Sequence, residues 1–240
     1  MESKRARLDR YLAKALQIPR KQVRLLLMSG KVEVDGLLAK DMDLLIDEFN
    51  TISCDGRVLQ ACSPKYFMVH KPVGVVSATK DDEHKTVLEL LPEAERSGLH
   101  IVGRLDLNTS GLLLLTNDSR WSEALMQPGA HVSKEYLVTL GNPLTEEYAP
   151  AFAAGMYFSF EDITTAPARL EVLDSHIARV VLTEGKYHQI KRMFGRFRNP
   201  VVALHRSRVG GLSLDENLAP GHWRALTRDE VQQALRDIGS

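Results

Sequence analysis

Gly103-Arg104-Leu105-Asp106-Leu107-Asn108-Thr109-Ser110-Gly111-Leu112 sets one cation and one carboxylate two residues apart in a β-favouring stretch. Side chains at i and i+2 of a strand share a face, so Arg104 and Asp106 are expected to project into one cleft. Thr109-Ser110-Gly111 reads as a turn, and Leu112-Leu113-Leu114-Leu115 as a buried strand. A lone acid at a rigid strand end, beside a cation, suits nucleophilic or base chemistry on an anionic substrate. Loop aspartates more often cap turns, and the spacing alone leaves both roles open for Asp106.

Outward from this stretch the chain is rich in strands, expected at 66–71, 100–106, 111–117, 134–141, 168–174 and 177–183. Helices are expected at 86–91, 119–126, 145–154 and 187–197, the first with a Thr86/Glu89 capping box. The last has Ile190, Met193, Phe194 and Phe197 on its buried stripe and Tyr187, Lys191 and Arg198 on another side. A further capping box opens a C-terminal helix at Thr227-Arg228-Asp229-Glu230. Strands and helices without regular βαβ alternation give an α+β fold with a mainly antiparallel, mixed sheet.

The N-terminal part has a different pattern. Leu8, Tyr11, Leu12, Ala15 and Leu16 recur at helical spacing. Pro19 can open a second helix, with a Val23, Leu26 and Leu27 stripe ended by Gly30. Val32 and Val34 then alternate into the turn Asp35-Gly36, and Asp55-Gly56 marks another. Rising polarity and Pro64 divide the chain into a small domain at 1–60, a linker at 61–65 and a larger domain at 66–240.

A net charge of zero hides strong segregation. Residues 1–31 hold nine Lys or Arg against Glu2 and Asp9, and residues 185–214 hold seven against no acid. Local basic surfaces of this kind attract phosphates on a neutral molecule. Arg7, Arg20, Lys21 and Arg24 are the expected phosphate contacts in the first run, and Arg192 in the second. Apolar and charged fractions of 44% and 26% are those of a soluble globular protein, and no run approaches membrane-spanning length. Cys54 and Cys62 fit neither a metal spacing nor a disulfide framework, as in a reducing cytoplasm.

The decapeptide resembles the signature of the RNA pseudouridine synthases, in the branch typified by the bacterial small-subunit rRNA enzyme. Three more blocks resemble that branch: Tyr66-Phe67-Met68-Val69-His70-Lys71-Pro72-Val73-Gly74, Lys134-Glu135-Tyr136-Leu137-Val138, and Glu184 through Phe194. The helical pair followed by small strands, with residues 20–34 carrying the likeness, resembles the RNA-binding module of ribosomal small-subunit protein four. One departure is Ser119, where the family often has glycine after Asn117-Asp118.

The resemblance implies a pseudouridine-synthase fold preceded by that RNA-binding module, and isomerisation of one uridine in 16S rRNA. The reaction loses no atom and changes no oxidation state, so no cofactor is expected. The flipped base needs an aromatic face, a cation near phosphate and an ionised carboxylate. By resemblance, Asp106 is the essential aspartate, as nucleophile or as base. Arg104 lies near the flipped nucleotide, Tyr136 against the uracil, and Lys191 pairs with the aspartate. An opposite charge within ~4–6 Å keeps a carboxylate ionised. Ile190 beside it would floor the base site.

The partner implied is ribosomal RNA, naked or in a partly assembled small subunit, with the enzyme a cytoplasmic monomer. Alternatives are a large-subunit (23S) rRNA enzyme and a non-catalytic RNA-binding assembly factor. A glycosidase would need a second flanking acid, and Ser110 lacks the Gly-x-Ser-x-Gly elbow. The eight histidines show no ligand spacing, so no metal is expected.

Overall fold

The computed structural model describes residues 5–159 and 161–236. Glu2 and Lys4, counted in the first basic run, lie outside them. The chain forms two compact units, Met1–Pro64 and Lys65–Ser240. Lys65, expected in the linker, already belongs to the second unit. Its backbone N–H donates to Asn117 (2.7 Å) and its carbonyl accepts from Thr116 Oγ1 (2.7 Å).

In the first unit the helices Leu8–Leu16 and Arg20–Met28 precede a small antiparallel sheet, with Val32–Val34 and Ile52–Cys54 at its centre. Leu8, Leu12, Val23, Leu27, Val32 and Ile52 form its core, which is why apolar residues recur at helical and then at alternating spacing. Asp9 is fully buried in this unit. Arg7 and Arg20 both bind it, with Arg7 Nε at 3.2 Å and Arg20 Nε at 3.0 Å. Burial pushes the Asp9 carboxyl up, but hydrogen bonds from Arg20 and Arg7 outweigh it and hold the group below its ordinary value.

The second unit is built on one sheet, nine-stranded among the described residues. Its main path runs Arg169–Asp174, Ile177–Leu182, Lys134–Leu140, Val201–Val209, Thr109–Thr116, Tyr66–Lys71 and Trp223–Ala225. Neighbours pair antiparallel except Val201–Val209 with Thr109–Thr116, which run parallel. Both faces are covered. Leu113 and Leu115 join a core with Val138, Phe152, Met193 and Phe194, whereas Leu112 and Leu114 pack with Met68, Trp121 and Leu125. A strand covered on both faces reads as a continuous apolar run, hence the four leucines.

Several expectations are corrected here. Thr109-Ser110-Gly111, expected as a turn, opens the strand Thr109–Thr116, and the turn comes just before it, closed by Thr109 N–H donating to Asp106 O (3.0 Å). The strand expected at 100–106 ends at Val102, because Gly103 turns the chain at φ +69°. The helix expected at 187–197 spans only Gln189–Gly195. His188 before it and Arg198 after it are both left-handed, so Tyr187 and Arg198 are not on its surface. The sequence reading also left out Val201–Val209. Ser119 takes up a position where glycine is not required. It is the first residue of the helix Ser119–Met126, whose N-terminus Asp118 caps by accepting from the N–H groups of Arg120 (3.0 Å) and Trp121 (3.2 Å). The capping box at Thr227 is formed, and at Thr86, which opens a 3-10 turn, its Glu89 half is, the carboxylate accepting from Thr86 N–H (2.6 Å).

The segment after Val102 is held from both sides. Ser77 Oγ bonds the carbonyl and the N–H of Leu105 (2.8 and 3.1 Å), and Gly74 N–H donates to Leu107 O (2.9 Å). Lys71, fully buried, donates to the carbonyls of Thr109 (2.7 Å), Pro72 (3.0 Å) and Leu107 (3.5 Å). Burial pulls this lysine down to about 8, against the attraction of Asp106 and assisted by Arg206.

Two predictions follow from these buried charges. Asp9→Asn is expected to cost the first unit about 1–3 kcal/mol at pH 7. Because the folded carboxyl titrates below its unfolded value of about 3.9, its contribution is complete above that value and fades as the pH falls further. Hydrogen exchange at the amides of Val32 and Ile52 reads the difference, which should shrink in acid. For Lys71 the pH slope has the same sign, but the shift is a cost of burial that rising pH relieves. The unfolded lysine, near 10.4, holds its proton above the folded value of about 8, so stability from this group rises between those two pH values. The melting temperature of Lys71→Met relative to wild type should therefore fall across that window; a constant difference would contradict the assignment.

Candidate active site

A cleft in the second unit gathers residues from five segments, one of them giving Leu182 at the end of Ile177–Leu182. Arg104, Leu105, Asp106 and Thr109 come from the decapeptide, and Tyr136 from the strand Lys134–Leu140. Leu204 comes from Val201–Val209, and Gly185, Lys186, His188, Gln189, Ile190 and Lys191 from the turn and start of Gln189–Gly195. Asp106 is not on a strand. It stands in the braced loop that follows Val102, and a backbone bond from Thr109 N–H to its carbonyl (3.0 Å) closes the turn. Arg104 and Asp106 nevertheless line one cleft.

Lys191 Nζ lies 2.9 Å from Asp106 Oδ2. The helix holds that position because Ile190, Met193 and Phe194 are buried in the core beneath it. Neighbouring helix positions diverge by about 100°, and Arg192 points elsewhere. Its guanidinium pairs with Glu161 and sits 4.0 Å over the Phe158 ring. Tyr136 and Ile190, exposed by only 9% and 4%, supply an aromatic and an aliphatic wall. Arg104 is exposed, and among the described residues its guanidinium has no hydrogen bond or ion pair. An anionic ligand therefore meets a free cation beside a carboxylate whose own charge is balanced.

His188 was given no role by the sequence reading, yet its Nε2 is 3.3 Å from Asp106 Oδ2. The signal was its place three residues before Lys191, a spacing that shares a face on a helix; the left-handed backbone at His188 puts a turn there instead. Arg206 was likewise unassigned. It is 2% exposed, with Nε donating to Leu112 O (2.8 Å) and Nη1 to Arg104 O (3.5 Å). Its backbone crosses Gly111 so closely that a Cβ there would meet Arg206 O at 2.2 Å. Glycine at 111 is thus required by the parallel strand pairing that carries the decapeptide.

The expected phosphate contacts of the first unit divide into two kinds. Arg7 and Arg20 are tied to Asp9, and Arg7 also to Asp43. Lys21 and Arg24 are exposed and have no ion pair among the described residues. Among the described residues there is also no cluster of His, Cys, Asp or Glu that could hold a metal, and no helix long and apolar enough to cross a membrane.

The family model described as RNA pseudouridylate synthase matches residues 65–195. The ribosomal small subunit pseudouridine synthase A of Pseudomonas aeruginosa is 48% identical over 226 residues, covering 94% of this chain and 98% of that one. The protein of the same name from Escherichia coli K12 is 41% identical over 230 residues, covering 95% and 100%. A crystal structure of a pseudouridylate synthase superposes with a TM-score of 0.70 at 36% identity, covering 95% of this chain and 99% of that one. At this identity and coverage, and with Asp106, Tyr136 and Lys191 all inside the matched residues, the chain belongs to the RNA pseudouridylate synthase family.

Proposed function

We propose that this protein isomerises one uridine of the small-subunit (16S) ribosomal RNA to pseudouridine, with Asp106 as the reacting carboxylate. The observation that carries the reading is the Asp106–Lys191 contact of 2.9 Å at the bottom of a cleft walled by Tyr136 and Ile190. Likeness to the small-subunit enzymes over 94% of the chain favours that RNA.

The reaction breaks the bond between ribose C1′ and uracil N1 and makes one between C1′ and C5. The proton leaves C5 and N1 gains one, so nothing is oxidised. A uridine flipped out of its stack, at a cost of roughly a few kcal/mol, enters between Tyr136 and Ile190. Asp106, paired with Lys191 at 2.9 Å, attacks the sugar or removes a proton from it. Tyr136 steadies the turning base and accepts the C5 proton in this scheme. Arg104 takes the phosphate or the space left by the base. Lys71 and Ser77 act on the loop that carries Asp106, not on the substrate.

The first unit serves as an RNA-binding module like that of ribosomal small-subunit protein four, with Lys21 and Arg24 facing phosphate. Arg7 and Arg20 act chiefly in folding, through Asp9. Arg192 supports the turn beneath the cleft and meets RNA at its edge. The work fits a monomer in the cytoplasm, acting on rRNA before or during assembly of the small subunit. No cofactor enters the scheme.

Pseudouridine mapping in both large rRNAs of a strain lacking the gene tests this directly. One 16S position should lose its modification, regain it with the wild-type gene, and fail to regain it with Asp106→Asn. The purified Asn variant should bind RNA and melt like wild type. Loss of a 23S position instead would redirect the enzyme to the large subunit, and restoration by Asp106→Asn would make the chain a non-catalytic assembly factor.

A further inference from the structure

We infer that Tyr187 and His188 form a stacking platform for the nucleobase adjacent to the target uridine in single-stranded RNA. This rests on the reading of the chain as an RNA modifier. The two rings stack with centroids 3.9 Å apart and planes 18° from parallel. His188 lines the cleft and reaches Asp106. Tyr187 lies outside it, 72% exposed, so the ring face turned away from His188 is bare.

An exposed tyrosine on a loose loop would mean little, but this turn is built. Gln189 Oε1 accepts from Lys186 N–H (3.0 Å), and Gln189 Nε2 donates to Glu184 Oε1 (2.7 Å). The same Glu184 oxygen accepts from Ala166 N–H (2.9 Å), which ties the turn to a second segment. Arg192 Nη1 donates to the Tyr187 carbonyl (3.5 Å). His188 takes a left-handed conformation, φ 48°, which folds its ring back toward Asp106 and beneath Tyr187. Extracting a uridine from a single strand leaves its neighbour without a stacking partner, and aromatic side chains commonly replace one. A base laid on Tyr187 would continue the stack His188, Tyr187, base, starting at the reacting carboxylate. Because every base has a π face, the platform would tolerate any of the four.

The test uses the full-length chain and a short transcript around the uridine located by the mapping above. Tyr187→Ala should raise KM about 5- to 150-fold, the range equivalent to losing one stacked base, while kcat falls much less. Tyr187→Phe should restore affinity to near wild type, because it keeps the ring. Removing the base on one side of the uridine should weaken wild type by a similar factor and leave Tyr187→Ala almost unaffected. Non-additivity at one flanking position establishes the contact and says which neighbour it is. If every abasic substitution weakens both proteins equally, the platform is refuted. It is also refuted if Tyr187→Ala binds normally, or loses affinity only for assembled particles, which would assign Tyr187 to a ribosomal protein. Failure of the enzymatic reading is separate, since wild type would then form no pseudouridine in any transcript.

Discussion

A single ion pair, Asp106 with Lys191, joins two segments 85 residues apart and sets the demands on the rest of the second unit. The carboxylate must sit at a fixed depth, and Lys71, Ser77 and Gly74 hold its loop through backbone groups. The ammonium must arrive from the opposite wall, and the buried side chains of Ile190, Met193 and Phe194 fix the helix that brings it. Between the two runs the parallel contact of Val201–Val209 with Thr109–Thr116, close enough that only glycine fits at 111. Packing and hydrogen bonding here serve an electrostatic end. They keep a carboxylate in the cleft wall with a cation 2.9 Å away.

Much of this was legible in the chain. The apolar run 112–115, the leucine and valine stripes of the first unit and the Thr86 and Thr227 caps each report a local rule, and the structure follows them. What escaped has two causes, buried polar residues where periodicity expects apolar ones and backbone turns that periodicity does not register. Val201–Val209 carries His205, Arg206 and Arg208, and its buried Arg206 disguises a central strand. Left-handed His188 broke a helix that the spacing extended through 187. Gly103 ended a strand early, yet the expected cleft survived because a braced loop can present alternate residues as a strand does.

Charge segregation had a similar outcome. The basic run at 1–31 is genuine, but Arg7 and Arg20 turn inward to a buried aspartate, so its outward charge is smaller than a count suggests. Lys21 and Arg24 remain outward. Around the cleft the pattern repeats, with Lys191 and Arg192 occupied by Asp106 and Glu161 while Arg104 is free among the described residues. Which cations await phosphate is decided by the acids that neutralise their neighbours, a property of tertiary structure.

The most direct test of the ion pair is the single-turnover rate of Lys191→Met, measured beside its melting temperature. Methionine keeps most of the stem and removes the charge, so the fold should melt as wild type does. The rate should fall by about two orders of magnitude or more, the usual effect of losing one preorganised electrostatic partner, with partial recovery in Lys191→Arg. A variant that melts early and turns over normally once folded would show that the pair serves stability, and would contradict the account.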